Sequence, residues 1–305
     1  MLLLGPTWDV LPYRPGAMVD TMRSISDTKA PEMAGRQGQM TRRIVVPLDG
    51  SAQAERALGT AQTLAVRLGA EVELVRSTWE VPPTPVPAYL DEMASTMTTA
   101  RVSTDVAPAM FAAPAITAAL DGNPSSVVCM TTRGHTPMGA AILGSVAQEV
   151  LAAVSNPVLL IGPDCADPVP EIAGGTALVC FDGSEASASI ASVMTEWAGA
   201  LDLRLRLVTV LHNQGKLVGG REAGPTRERA ESLAGRLRDG GVEVRLEFLE
   251  GLDPARTIVD YAANEHAGLI ATATHGNRVT QAFLGSVAMW VVRRSPCPVL
   301  VHRPA

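Results

Sequence analysis

Aromatic side chains are scarce in this chain, at 4% of 305 residues, so no core can rest on stacked rings. Val, Leu, Ile and Ala must fill it instead. The hydrophobic share of 47% against 18% charged is that of globular domains with sizeable cores. The four cysteines form no CxxC pair. Cys129, Cys180 and Cys297 fall in apolar strand-like runs and Cys165 in a linker, which points to reduced, buried thiols and a cytoplasmic setting. A basic excess is also missing. At a net charge of −6 the chain has no broad cationic face for nucleic acid. No apolar run approaches the roughly 18 residues of a membrane span. The start, MLLLGPTWDV, has no basic segment ahead of its leucines and does not read as a secretory signal.

Chemistry-bearing motifs are few. There is no GxxxxGK[ST] and no GxGxxG. His212, His266 and His302 do not stand at metal-ligand spacing, so no metal site is expected. No Ser-His-Asp order and no paired carboxylates stand out, so hydrolytic catalysis has no visible apparatus and the chain does not read as an enzyme.

What the chain does have is an internal repeat. IVVPLDGSAQAERAL (44–58) returns as ALVCFDGSEASASI (177–190). TTRGHTPMGAAILGSVA (131–147) returns as ATHGNRVTQAFLGSVA (273–288), and NPVLLIG (156–162) as CPVLVH (297–302). Asp49 and Asp182 stand 133 residues apart, and Gly144 and Gly285, like Pro157 and Pro298, 141 apart. A repeat of this length means two copies of one domain, each of a common domain size. The division is a tail over 1–40, a first domain over 41–162, a linker over 163–175 and a second domain over 176–303. The tail mixes Pro, Gly, Asp, Arg and Met without periodicity and reads as disordered. Met40 directly precedes TRRIVVPLDG, so an over-extended start is the other reading.

In the first repeat the pattern predicts strands at 44–48, 72–78, 101–107, 126–132 and 157–161, with helices at 51–68, 90–100, 115–120 and 145–154. VPPTPVP (81–87) reads as a loop. In the second, strands fall at 176–181, 203–211, 242–249, 268–274 and 298–302, and helices at 185–200, 225–239, 254–265 and 286–294. Strands alternating with helices imply a parallel sheet covered on both faces. The fold class is α/β, two tandem open parallel five-stranded sheets. The two closing runs are candidate edge strands through which the repeats pair as a pseudo-dimer; a further homodimer is open.

Ligands of such sheets bind beyond the carboxyl ends of the strands. Asp49 and Asp182 lie there. Two readings stand: a carboxylate for a sugar hydroxyl or base amine, and a turn residue before the capping Ser51 or Ser184. Gly134 lies past a strand end, and Gly144-Ser145 opens a helix whose amides suit phosphate; Gly276 and Gly285-Ser286 repeat this. His135, His275, Arg133 and Arg278 are loop residues that either meet phosphate or are simply solvated.

These residues resemble the universal stress protein family in tandem form. That family carries Gly-x2-Gly-x9-Gly-[Ser/Thr] after its fourth strand and an Asp after its first. The resemblance implies an adenine nucleotide α-hydrolase-like fold, a role in the stress response, and ATP, with or without Mg2+, as ligand. Carried over, it implies a first site of Pro47, Asp49, Met130, Gly134, Gly144, Ser145 and Val146. The matching second set is Asp182, Val210, Gly276, Gly285, Ser286 and Val287. Asp49 would hold the ribose or adenine side, and the glycines with the Ser145 and Val146 amides the phosphates. Both repeats depart from the motif. Thr131 and Ala273 replace its first glycine, Ala147 and Ala288 replace a frequent serine, and Ser77 stands where a valine near the base is expected. The second loop, from Gly276 to Gly285, is one residue short, which ranks the first site above the second. The alternative is an interaction protein of the same fold with decayed sites.

Overall fold

The structure is a computed structural model that describes residues 41–78, 86–98, 100–133, 143–212, 216–217, 224–274 and 284–304. The first repeat runs β1 (Arg43–Pro47), α1 (Ala52–Leu68), β2 (Glu71–Thr78), α2 (Val86–Thr96), β3 (Arg101–Pro108), α3 (Ala112–Leu120), β4 (Ser126–Thr131), α4 (Ser145–Ala153) and β5 (Val158–Ile161). The second runs β6 (Thr176–Cys180), α5 (Glu185–Leu201), β7 (Arg204–His212), β8 (Lys216–Leu217), α6 (Gly224–Asp239), β9 (Val244–Glu250), α7 (Pro254–Asn264), β10 (Leu269–Ala273), α8 (Ser286–Arg294) and β11 (Val299–His302).

Local chemistry explains the boundaries. Ser51 caps α1 by accepting from the Ala54 amide at 3.1 Å, and Ser184 caps α5 from the Ser187 amide at 3.1 Å. Gly69 ends α1 at φ +64°, with its amide on the Ala65 carbonyl. One expectation needs correction. The stretch 81–87 was expected to be loop throughout, but Val86 and Pro87 form the start of α2. Proline is tolerated in a first helical turn because its missing N–H would have had no helical partner there. The two-residue β8 was not expected; it pairs antiparallel with the end of β7.

In the first repeat the strand order is β3-β2-β1-β4-β5, all parallel. The second repeats it as β9-β7-β6-β10-β11. The closing strands pair antiparallel, with Val299 opposite Leu160, Leu300 opposite Leu159 and Val301 opposite Val158. The result, among the described residues, is one mixed, largely parallel sheet of eleven strands, with the apolar edges of β5 and β11 covered by each other. On one face a single core cluster joins Leu64 and Leu74 of the first repeat to Trp197 and Leu207 of the second. On the other, Ile116 and Val150 belong to the same cluster as Ile258 and Val291.

The segment between β5 and β6 is tied at both sides. Arg56 of α1 donates to the carbonyls of Cys165 (3.0 Å) and Ala166 (3.1 Å), and the Ala166 amide donates to Pro296 (3.0 Å). All four thiols are free. Burial pushes Cys129, Cys180 and Cys297 up to about 12 and Cys165 to about 11, so none is a thiolate at neutral pH.

His302 ends β11 where Ile161 ends β5. Its Nδ1 is buried without a hydrogen-bond partner among the described residues, and desolvation lowers its pKa below 6.5. A folded state that resists protonation loses stability as pH falls below the unfolded value. His302→Ile should therefore flatten the decline in unfolding free energy between neutral pH and pH 5. Urea titrations of both proteins at each pH check this; an unchanged decline would assign it elsewhere.

Candidate functional site

At the carboxyl end of β1 the chain turns sharply. The Leu48 amide still bonds to Val75 of β2 at 2.9 Å. Asp49, Gly50 and Ser51 then form an Asx-type turn. Asp49 Oδ1 accepts from the Ser51 amide (2.9 Å) and the Ser51 hydroxyl (2.6 Å). Gly50 holds φ +85°, a conformation that disfavours side chains. The turn role of Asp49 is thus present in the structure. The carboxylate is also solvent-exposed and lines the cleft described below.

β4 brings Met130 to the same rim, two strand positions away from β2. Beyond it, Thr131 Oγ1 donates to the Arg133 carbonyl at 2.7 Å. Gly144 then returns the chain to β4, with its amide on the Thr132 carbonyl at 2.9 Å. A Cβ on Gly144 would lie 2.6 Å from that carbonyl oxygen. The glycine is therefore required by the protein's own backbone, whatever occupies the cleft. α4 starts directly after it with no side-chain cap, and the first-turn amides of a helix have no helical acceptor. Ser145 is exposed there and Val146 half-buried.

Together these residues line a cleft of about 550 Å³. Pro47, Asp49, Met130, Gly144, Ser145 and Val146 all reach it. Val75, Ala115, Ile116 and Leu143 supply apolar wall. Gly134 and His135 lie outside the described residues.

Two arginines also line this cleft. Arg133 Nη2 is buried and has no hydrogen-bond partner among the described residues. Arg76, at the end of β2, did not emerge from the sequence. Its guanidinium lies 4.8 Å from the Tyr89 ring centroid, and its Nη atoms lie 3.2 Å from where a Cβ on Gly50 would sit. Tyr89 is itself held by its hydroxyl, which donates to Glu55 at 2.9 Å; burial and that bond raise its pKa. The available signal was parity: Val72 and Leu74 face the core, and Arg76 continues that side at the ligand end of the strand.

The second repeat places its set at equivalent positions. Asp182 follows β6, Val210 lies half-buried in β7, and Gly285 precedes Ser286 and the exposed Val287 at the start of α8. Gly276, His275 and Arg278 lie outside the described residues. The turn is more enclosed than its counterpart. Gly183 is buried, Thr226 of α6 lies 2.7 Å from where its Cβ would be, and Arg229 donates to its carbonyl at 2.8 Å. Ser187 of α5 adds further bonds to Asp182 and Ser184. Where the first repeat has Arg76, the second has Thr209, buried and donating to the Phe181 carbonyl at 2.8 Å.

A model of the universal stress protein family matches residues 40–110 and 175–303. In the first repeat that match ends before β4, whereas in the second it runs through the glycine loop. Universal stress protein MJ0531 of Methanocaldococcus jannaschii is 37% identical over 76 residues, which cover 25% of this chain and 44% of that relative. The chain thus spans less than half the length of that curated relative. Among solved structures, protein PA1789 of Pseudomonas aeruginosa PAO1, of unknown function, aligns with a TM-score of 0.63 at 21% identity, over 87% of this chain and 93% of its own. A universal stress protein of Archaeoglobus fulgidus aligns at 0.62 with 17% identity, over 87% and 97%. The chain belongs to the universal stress protein family, in tandem form and with its adenine nucleotide α-hydrolase-like fold. No helix among the described residues is long and apolar enough to cross a membrane.

Proposed function

We propose that the cleft of the first repeat binds an adenine nucleotide and that the chain acts in the stress response as a nucleotide-dependent cytoplasmic regulator, not as an enzyme. The observation that carries this reading is the buried Arg133 Nη2, without a hydrogen-bond partner among the described residues, lining the same cleft as the uncapped start of α4. A buried guanidinium donor without an acceptor is costly, and an anion at that position would satisfy it. Apolar wall on one side and donors on the other suit a base and its phosphates. ATP, with or without Mg2+, would lie with its phosphates toward Arg133 and Ser145 and its sugar toward Asp49.

Calorimetric titration of ATP tests this. Asp49→Asn keeps an oxygen for the Ser51 turn but replaces a carboxylate acceptor with an amide. Losing a bond to a charged group costs about 1.5–3 kcal/mol, so binding should weaken at least tenfold. Asp182→Asn should change it little, because the second turn is enclosed by Thr226 and Arg229. The reverse ranking would move the working site to the second repeat, where the family match includes the loop. The second reading, an interaction protein with decayed sites, is favoured by Thr131 and Ala273 in place of the motif's first glycine. It takes over if the unmutated protein binds no ATP at millimolar concentration.

A further inference from the structure

Arg76 is a cleft cation that the nucleotide reading leaves without a task. Among the described residues it makes no hydrogen bond or ion pair; the Tyr89 ring alone holds it, at 4.8 Å. A stacked guanidinium keeps its N–H edge available for a planar or anionic acceptor. Its place is the sugar side of the cleft, beside the Asp49–Ser51 turn. Arg133 and α4 lie on the other side of β1, because β2 and β4 flank it. The strands that carry them, β2 and β4, lie two spacings apart, about 10 Å. The cleft therefore has positive charge at both ends with apolar wall between them.

Resting on the nucleotide reading above, we infer that Arg76 is a specificity-determining residue and that the preferred ligand is an adenine nucleotide carrying a second phosphate on its ribose. The 5′-phosphates go to Arg133 and α4. The ribose phosphate meets the Arg76 guanidinium, which can take two phosphate oxygens at once. Asp49 lies beside it at the turn, so a neutral ribose keeps its hydroxyl acceptor and a phosphorylated one gains a cation. The second repeat, with Thr209 at this position, has no such preference.

The test is calorimetry with four probes: ATP, AMP, adenosine 2′,5′-bisphosphate and adenosine 3′,5′-bisphosphate. At least one bisphosphate should bind tenfold or more tighter than AMP. Arg76→Gln should remove that preference, weakening the bisphosphate at least tenfold more than AMP, and Arg76→Lys should restore part of it. Tyr89→Leu, which releases the guanidinium from its ring, should reduce the preference while leaving AMP binding intact. If ATP binds but neither bisphosphate exceeds AMP, this inference fails and the nucleotide reading stands. If Arg76→Gln weakens AMP and the bisphosphates equally, the guanidinium acts on the base or the shared phosphate, and the inference fails again. If no probe binds, both fall.

Discussion

Gly144→Ala should lower ATP affinity at least tenfold and reduce thermal stability in the same protein. The glycine holds φ −57°, which alanine adopts without strain, so conformational freedom is not what the position demands. It demands space. The added Cβ would lie 2.6 Å from the Thr132 carbonyl oxygen, and that oxygen is held by the Gly144 amide at 2.9 Å. Both partners are backbone, so neither can rotate away. β4 and the start of α4 must separate, at the 1–3 kcal/mol typical of overpacking. Separation also displaces the Ser145 and Val146 amides and the backbone that carries the Arg133 guanidinium, the groups proposed to meet phosphate. Gly59→Ala is the control. It lies on an exposed face of α1 with nothing within 4 Å of a new Cβ, and alanine favours helix by about 0.5–1 kcal/mol. Scanning calorimetry and ATP titration of both variants decide the matter. Wild-type melting and wild-type binding in Gly144→Ala would show that the junction is looser than its geometry.

Why the sequence predicts some of this and not the rest follows from the range of each interaction. The ends of α1 and α5 were legible because Ser51 and Ser184 accept from amides three residues on, and the Gly69 amide donates to a carbonyl four residues back. The parallel pairing follows from βαβ alternation, which leaves the strand order open, and the β5–β11 seam from two apolar runs that would otherwise be edges. The start of α2 was misplaced because proline spacing alone does not separate a loop from a first helical turn. Asp49 shows a different limit. Its turn and its cleft exposure are both real, and sequence could only state the two readings side by side. The enclosure of Gly183 depends on Thr226 and Arg229, more than forty residues away on α6, and no local pattern encodes it. Arg76 is the clearest omission. A charge in a strand reads as solvated, and only the packing of Tyr89 and the nearness of Gly50 put it in the cleft.

Trp197→Ala should give the largest loss of stability of any change considered, about 3–5 kcal/mol, and the loss should be felt in both repeats. The side chain is fully buried on α5 and is the largest so enclosed among the described residues. Its indole N–H donates to Thr41 Oγ1 at 3.3 Å, and the neighbouring Glu196 carboxylate accepts from the Thr41 amide. The strand that opens the first repeat is thus anchored on a helix of the second. The cluster around Trp197 continues through α5 and α1 to Leu64 and Leu74, and the sheet beneath it is unbroken through β5 and β11. A core shared this way has no internal boundary at which one repeat can unfold and leave the other intact, so unfolding should be a single cooperative transition. Removing the indole should lower its midpoint by roughly ten degrees without splitting it. Trp197→Phe, which keeps most of the apolar volume but loses the bond to Thr41, should fall between the two. The measurement is scanning calorimetry with far-UV circular dichroism on all three proteins. Two separate transitions, of which only one responds to Trp197→Ala, would mean that the repeats are stabilised independently and that the continuous sheet does not couple them.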